Sequence, residues 1–350
     1  MNETQQMLED TVNRLFGDRL GWDQLTAIEE QGFPTALWAE TVEQGIPKVL
    51  ADEQTGGMGL GWADAYPVLR ACGRHAVPLP VVEASIAEWL ARQAGATLPD
   101  GVPGLLTRTI ATDTVSASAL KLDNARTPWG RTADFLVGVA GQGDGAELII
   151  ASSKGLSVAT EENIGRDPRD NLSGNAALIA RHALPLAPDC VHWLGALARS
   201  AQIAGAGAAA LDLALKYGAE RSQFGKPLSG FQAIQHYLAD LAGVVASVDA
   251  IAMAACTGLD QRGMAPLGRN ARFEIAAAKC RASEAVEKLT RLSHQVHGAI
   301  GFTYEYGLHF LTRRLWAWRA EFGGAGEWGE YLGRIAADVG GDGIWPVITA

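Results

Sequence analysis

The feature that most limits how this chain can fold is the apolar striping of its second half. Between Phe231 and Leu259, residues Ile234, Leu238, Leu241, Val245 and Val248 recur at steps of four and three, which is one face of an α-helix. Gly195–Arg221 is another long run, rich in Ala and Leu, and Asn270–Val296 is a third. Leu308–Ala320 and Tyr331–Val339 complete the set. Helices of this length bury their stripes against one another, so residues 187–350 are expected to form a four-helix bundle. Small residues such as the Ala204–Ala210 run suit helices that approach closely.

The rest of the chain reads differently. Residues 1–100 carry shorter helical patterns: Leu8, Val12, Leu15 and Phe16, then Trp22, Leu25 and Ile28, then Ala63–Cys72 and Val81–Gln93. Pro34, Pro47 and the Gly56–Gly61 run punctuate them. Across 101–186 the helical period fades, and the short β-rich runs Ser116–Leu122, Phe135–Ala140, Glu147–Ser152 and Leu156–Val158 appear between turn residues. The expected fold is therefore mainly α with a central β domain: an N-terminal helical domain, a small β-barrel or sandwich, and a C-terminal four-helix bundle.

Composition narrows the function classes. With 29 Lys and Arg against 39 Asp and Glu, the net charge of −10 argues against nucleic acid as a partner, because phosphate neutralisation needs a basic face. Cys72, Cys190, Cys256 and Cys280 are scattered, without the paired spacing of a zinc site or the density of a disulfide framework. Free thiols fit a reducing cytoplasm. No signal peptide or membrane span is expected, since the first ten residues are polar and no uninterrupted apolar run approaches the length of a bilayer. His294 and His297 lack a carboxylate at metal spacing, so no metal is expected. Gly57, Gly59 and Gly61 form neither a Walker loop nor a dinucleotide fingerprint.

Two segments carry specific information. The loop Arg221-Ser-Gln-Phe-Gly-Lys-Pro-Leu-Ser-Gly-Phe-Gln-Ala-Ile-Gln-His, followed by Leu238-Ala-Asp, joins two of the long helices. Arg221 at a helix C-terminus caps carbonyls or grips a phosphate equally well by its chemistry. The second segment is Gln295-Val-His-Gly-Ala-Ile-Gly-Phe-Thr-Tyr-Glu, which also reads as a glycine C-cap. Together they resemble the acyl-CoA dehydrogenase flavoprotein family, in which R-x-x-F-G-x-P-x-x-x-F-Q-A-x-x-H-x-x-A-D and Q-x-x-G-G-x-G-F-T-x-E occur in this order. Asp52-Glu-Gln-Thr-Gly-Gly-Met-Gly-Leu resembles the family's P-E-x-x-G-G-x-G turn, and the resemblance spans nearly the whole chain.

The resemblance implies FAD and a set of positions that hold it. Arg221, Gln223 and Phe224 match positions that contact the FAD of a neighbouring subunit, Arg221 at the pyrophosphate and Phe224 near the adenosine. Gln232 is a further candidate for that contact. Gln295, Gly298 and Ala299 match the turn that receives the same cofactor's ADP end, with Ala299 replacing the usual second glycine. The family base is a glutamate that removes the α-proton of an acyl-CoA thioester. Its commoner position corresponds here to Gly323, in Phe322-Gly-Gly-Ala-Gly-Glu-Trp, and its other position falls near Gly195. Neither carries a carboxylate, and His192 and Arg199 beside the second do not replace a glutamate. Glu321 and Glu327 are the fallback candidates, with Glu305 assigned a capping role. In the middle segment the family's T-E-P-x-x-G-S-D stretch is missing, and Thr127-Pro-Trp-Gly-Arg-Thr-Ala-Asp is similar to short members of heteromeric pairs. Trp129 is read as a cover on the sheet and Arg166-Asp-Pro-Arg169 as a charged surface turn.

Three readings follow. The chain is an FAD-dependent acyl-CoA dehydrogenase subunit that passes electrons to an electron-transfer flavoprotein, as a homotetramer or an α2β2 heterotetramer. Alternatively it lacks its own base and completes the FAD site of a catalytic homologue, a reading that the missing glutamates favour. The third is a flavin-free binding module on the same fold. The acyl group is open.

Overall fold

In the computed structural model, residues 2–143, 145–265 and 271–349 are described. The chain begins with five helices: α1 (Glu3–Arg19), α2 (Trp22–Gln31), α3 (Thr35–Glu43), α4 (Trp62–Arg74) and α5 (Val81–Gln93). A capping box starts α1: Asn2 Oδ1 accepts from Gln5 N at 2.8 Å, and Gln5 Oε1 accepts from Asn2 N at 3.0 Å. The expected stripe of Leu8, Val12, Leu15 and Phe16 is buried.

Six strands follow: β1 (Pro103–Leu105), β2 (Ala119–Pro128), β3 (Phe135–Gln142), β4 (Gly145–Ser152), β5 (Ser157–Ala159) and β6 (Arg169–Leu184). They form one curled sheet of order β1-β3-β4-β6-β2, with β5 added to β6. Bulges between Leu122 and Ala125 and between Ile150 and Ala151 help it curl. Period-two alternation sorts its two faces. Phe135, Val137, Val139, Leu148 and Ile150 join the large core shared with the helices, while Leu136, Ala140, Ile149 and Ala151 close a separate small core with Leu120 and Leu172.

The C-terminal helices are α6 (Cys190–Glu220), α7 (Gln232–Arg262), α8 (Arg272–His297), α9 (Leu308–Ala320) and α10 (Ala325–Thr349). The expected start of α8 at Asn270 lies outside the described residues. α10 extends well past the expected Tyr331–Val339, with a break at Gly340 (φ 70°). By length and composition α7 is apolar enough to cross a bilayer, with a mean hydropathy of 1.7 in its most apolar window, yet it packs against α6 and α8.

Small residues set the spacing between the N-terminal helices and the bundle. A Cβ on Gly205 of α6 would lie 1.8 Å from Arg70 O, and one on Gly73 of α4 would lie 1.9 Å from Gln202 O. The two helices therefore touch backbone to backbone. Gly205→Ala is expected to destabilise the fold by about 1–3 kcal/mol through overpacking, seen as a lower chemical-denaturation midpoint; an unchanged midpoint would show that the helices part freely.

Candidate functional site

The loop after α6 is a tight hairpin. Arg221 leaves the helix with extended backbone (φ −78°, ψ 118°), and Ser222–Gln223 pairs with Lys226–Pro227. Phe224 and Gly225 form the tip, both in the left-handed region at φ 52° and 81°. For a phenylalanine this is a strained backbone, and such strain clusters at binding sites. Phe224 is 92% exposed and stands 6.3 Å from Phe231, over whose face Lys226 Nζ sits at 4.3 Å. Arg221 and Gln223 are exposed, as is Gln232 at the start of α7, and among the described residues no carboxylate pairs with Arg221.

The end of α8 lies beside this hairpin. Tyr217, in the last turn of α6, stacks on His297 at 5.0 Å, and His297 Nε2 is 3.1 Å from Tyr306 Oη. Gly298 closes α8 with φ 62°, and Gln295, Gly298 and Ala299 are exposed. The fold thus gathers Arg221, Gln223, Phe224, Gln232, Gln295, Gly298 and Ala299 at one end of the bundle, facing outward. An unpaired guanidinium, an exposed ring and a turn of open peptide N–H groups suit a nucleotide diphosphate delivered by another chain. His294 and His297 do not converge: Phe302 stacks on His294 at 4.2 Å, and His297 Nδ1 is 2.7 Å from Ser293 O.

A cleft of about 650 Å³ opens between the sheet and the bundle, with Arg108, Arg126 and Pro128 on one side and His192, Trp316 and Phe322 on the other. A second hollow of about 530 Å³ shares Ile164 and Trp316 with it and reaches Gln295 and Gly298. Both family base positions border the larger cleft, and both are crowded. A Cβ on Gly195 would lie 2.4 Å from the Phe322 ring. Gly323 has φ 85°, and a Cβ there would lie 2.6 Å from Trp328 Nε1.

Glu321 is not free to act as a base. Its Oε1 accepts from Arg169 Nε at 2.8 Å and Asn163 Nδ2 at 2.9 Å, and its Oε2 accepts from Arg199 Nε at 2.8 Å and Arg169 Nη2 at 3.1 Å. Burial alone would raise its pKa, but the charges of Arg169 and Arg199 overcome that and hold the carboxyl well below the usual carboxylate range. A carboxylate so held does not take up a proton near neutrality. The network continues from Arg199 to Glu83 of α5 at 2.7 Å and to Gln202, and from Asp167 to Arg314 of α9 at 2.9 Å. It ties all three segments together under the cleft. The expected surface turn at 166–169 is corrected here, because Asp167 and Arg169 are buried. Nearby, Lys279 of α8 donates to the carbonyls of Trp318 and Arg319 at 2.9 and 3.0 Å and so caps α9; burial pushes its ammonium down to about 7.

The other named residues fall as follows. Glu327 is exposed and its Oε1 is 3.1 Å from His192 Nε2. Glu305 is exposed in the turn before α9. Trp129 is buried edge-on against Phe33, a cover on the N-terminal helices. Burial pushes the Cys190 thiol up to about 12 and raises those of Cys72 and Cys256 further, which leaves them unreactive.

The acyl-CoA dehydrogenase N-terminal domain family matches residues 2–96, and the acyl-CoA dehydrogenase C-terminal domain family matches residues 194–327. The chain is also 30% identical over 321 residues to acyl-CoA dehydrogenase IpdE2 of Mycobacterium tuberculosis, covering 89% of this chain and 91% of that one. The protein belongs to the acyl-CoA dehydrogenase family. Acyl-CoA dehydrogenase FadE27 of the same organism is 27% identical over 340 residues, 89% of each chain. Among solved structures, a Tcur3481–Tcur3483 steroid ACAD variant superposes with a TM-score of 0.84 at 24% identity, covering 96% of this chain and 98% of that one. The ChsE4–ChsE5 complex from Mycobacterium tuberculosis superposes with a TM-score of 0.82 at 20% identity, with the same coverage. These likenesses establish that the dehydrogenase fold extends over the middle sheet, which neither family match covers.

Proposed function

We propose that this acyl-CoA dehydrogenase family chain is one half of a heteromeric FAD enzyme, an α2β2 assembly in which it completes the flavin site of a homologous subunit. The observation that carries the reading is the unpaired Arg221 on its strained, exposed hairpin, side by side with the Gly298 turn. Arg221 would bind the pyrophosphate through paired N–H donors, Phe224 would pack on the adenosine, and Gln223, Gln232 and Gln295 would hydrogen-bond the nucleotide. The peptide N–H groups at Gly298 and Ala299 would approach the phosphates, with the Ala299 methyl pointing into open surface rather than a packed interior.

FAD in such a site supplies the hydride acceptor for conversion of an acyl-CoA to its trans-2-enoyl thioester. Gly195 and Gly323 both lack a carboxylate, and this favours a division of labour in which the partner provides the glutamate. The first-named alternative, a chain that forms a complete active site by itself, needs a base from elsewhere in the cleft. The names of the steroid ACAD and IpdE2 relatives support a bulky, ring-bearing acyl group, and an electron-transfer flavoprotein is the proposed acceptor in the cytoplasm.

The visible spectrum tests this. The chain purified alone is expected to be colourless. Co-purified with a longer homologue, it should carry flavin whose absorbance bleaches on adding a ring-bearing acyl-CoA. Stoichiometric flavin that bleaches in the isolated chain would instead support the self-sufficient enzyme.

A further inference from the structure

We infer that His192, held by Glu327, is a proton acceptor in this chain's own cleft. The inference rests on the acyl-CoA dehydrogenase reading above, and concerns a cleft that the partner's glutamate does not serve.

The fold assembles the pair from residues 135 apart in sequence. His192 lies in the first turn of α6 and lines the larger cleft. Its ring stacks on Trp328 at 5.2 Å and meets the edge of Phe322 at 6.4 Å, so its plane is fixed from two sides. Glu327 Oε1 lies 3.1 Å from Nε2. With the ring proton on Nε2 and donated to that carboxylate, Nδ1 carries the lone pair. The carboxylate then orients the imidazole and stabilises the cation formed when Nδ1 takes up a proton.

Two separate facts place this pair where the α-proton is expected to leave. Gly195 follows His192 by three residues on α6, so the two share a helix face. A Cβ on Gly323 would lie 3.0 Å from the Glu327 carboxyl carbon, so that carboxylate stands at the start of the path a side chain from 323 would take. The two emptied base positions therefore flank one imidazole–carboxylate pair.

In the proposed step the α C–H bond of a thioester breaks. Its electron pair stays on the substrate as the enolate, and the proton bonds to His192 Nδ1. Return of a solvent-exchanged proton restores the thioester, so the step needs no oxidant. The test uses the full chain with phenylacetyl-CoA in D2O, followed by proton NMR at C2, with binding measured separately by equilibrium dialysis. Exchange is expected to exceed the solvent rate and to fall about 100-fold or more in both His192→Ala and His192→Gln. The Gln variant keeps a hydrogen bond to Glu327 and fills the same space, so its loss reports basicity rather than packing. Glu327→Gln is expected to show a smaller loss. Bound thioester with exchange no faster than solvent, or a His192→Gln variant as fast as the unaltered chain, would overturn this inference alone. Failure to bind the thioester would overturn it together with the acyl-CoA reading.

Discussion

Glu321→Ala is expected to be among the most damaging single changes in the protein, costing about 3–5 kcal/mol. The carboxylate is the shared acceptor for Arg169 and Arg199, which are 4% and 2% exposed. Removing it leaves two guanidinium groups facing each other without a counter-charge, and Glu83 compensates only one of them. The loss should appear as a large fall in melting temperature, accompanied by loosening of the contact between sheet and bundle. Glu321→Gln keeps shape and hydrogen-bonding oxygen but not charge, so it should fall between the two.

The same site predicts an acid dependence. The folded state holds the Glu321 carboxyl below its ordinary value of 4.5, so the unfolded chain binds the proton first. Its stabilisation is complete above that value and is lost as pH drops below it. Stability measured from pH 6 downward should therefore fall more steeply in the unaltered protein than in Glu321→Gln. Parallel profiles would mean that the carboxylate is not charged in the folded chain.

Arg221→Ala is expected to have the largest effect on cofactor. A charge-assisted hydrogen bond to phosphate is worth about 1.5–3 kcal/mol, so losing the fork should weaken flavin retention by the assembly roughly 10- to 100-fold. Stability should hardly change, because the side chain is exposed and supports nothing in its own subunit. That separation of affinity from stability distinguishes a binding residue from a helix cap. Fluorescence titration of flavin into the apo assembly reads the affinity, and equal dissociation constants would remove Arg221 from the site.

What the sequence disclosed follows from where each signal is stored. Long helices announce themselves locally, and α5 and α9 match the expected Val81–Gln93 and Leu308–Ala320 end to end. The motif residues are also local, so the hairpin and the Gly298 turn were visible before their proximity was. β6 was hidden because Asn171, Ser173 and Asn175 interrupt its apolar residues, and only its pairing with three other strands organises it. The charge network was invisible for a different reason. Glu83, Arg169, Arg199 and Glu321 lie in four separate elements, and each alone looks like a surface charge. Only burial turns them into one unit, and burial is a property of the packed chain. The His192–Glu327 pair was missed in the same way.

The claim on which the rest depends is that this chain offers a diphosphate grip to a cofactor lodged in another subunit. It is tested most directly by flavin content against assembly state, read together by absorbance and light scattering as the chain is titrated with its longer homologue. The account predicts that flavin is retained only as the two chains associate, and that an assembly carrying Arg221→Ala forms but stays pale. Tightly bound flavin in the isolated monomer, or a fully coloured Arg221→Ala assembly, would contradict it.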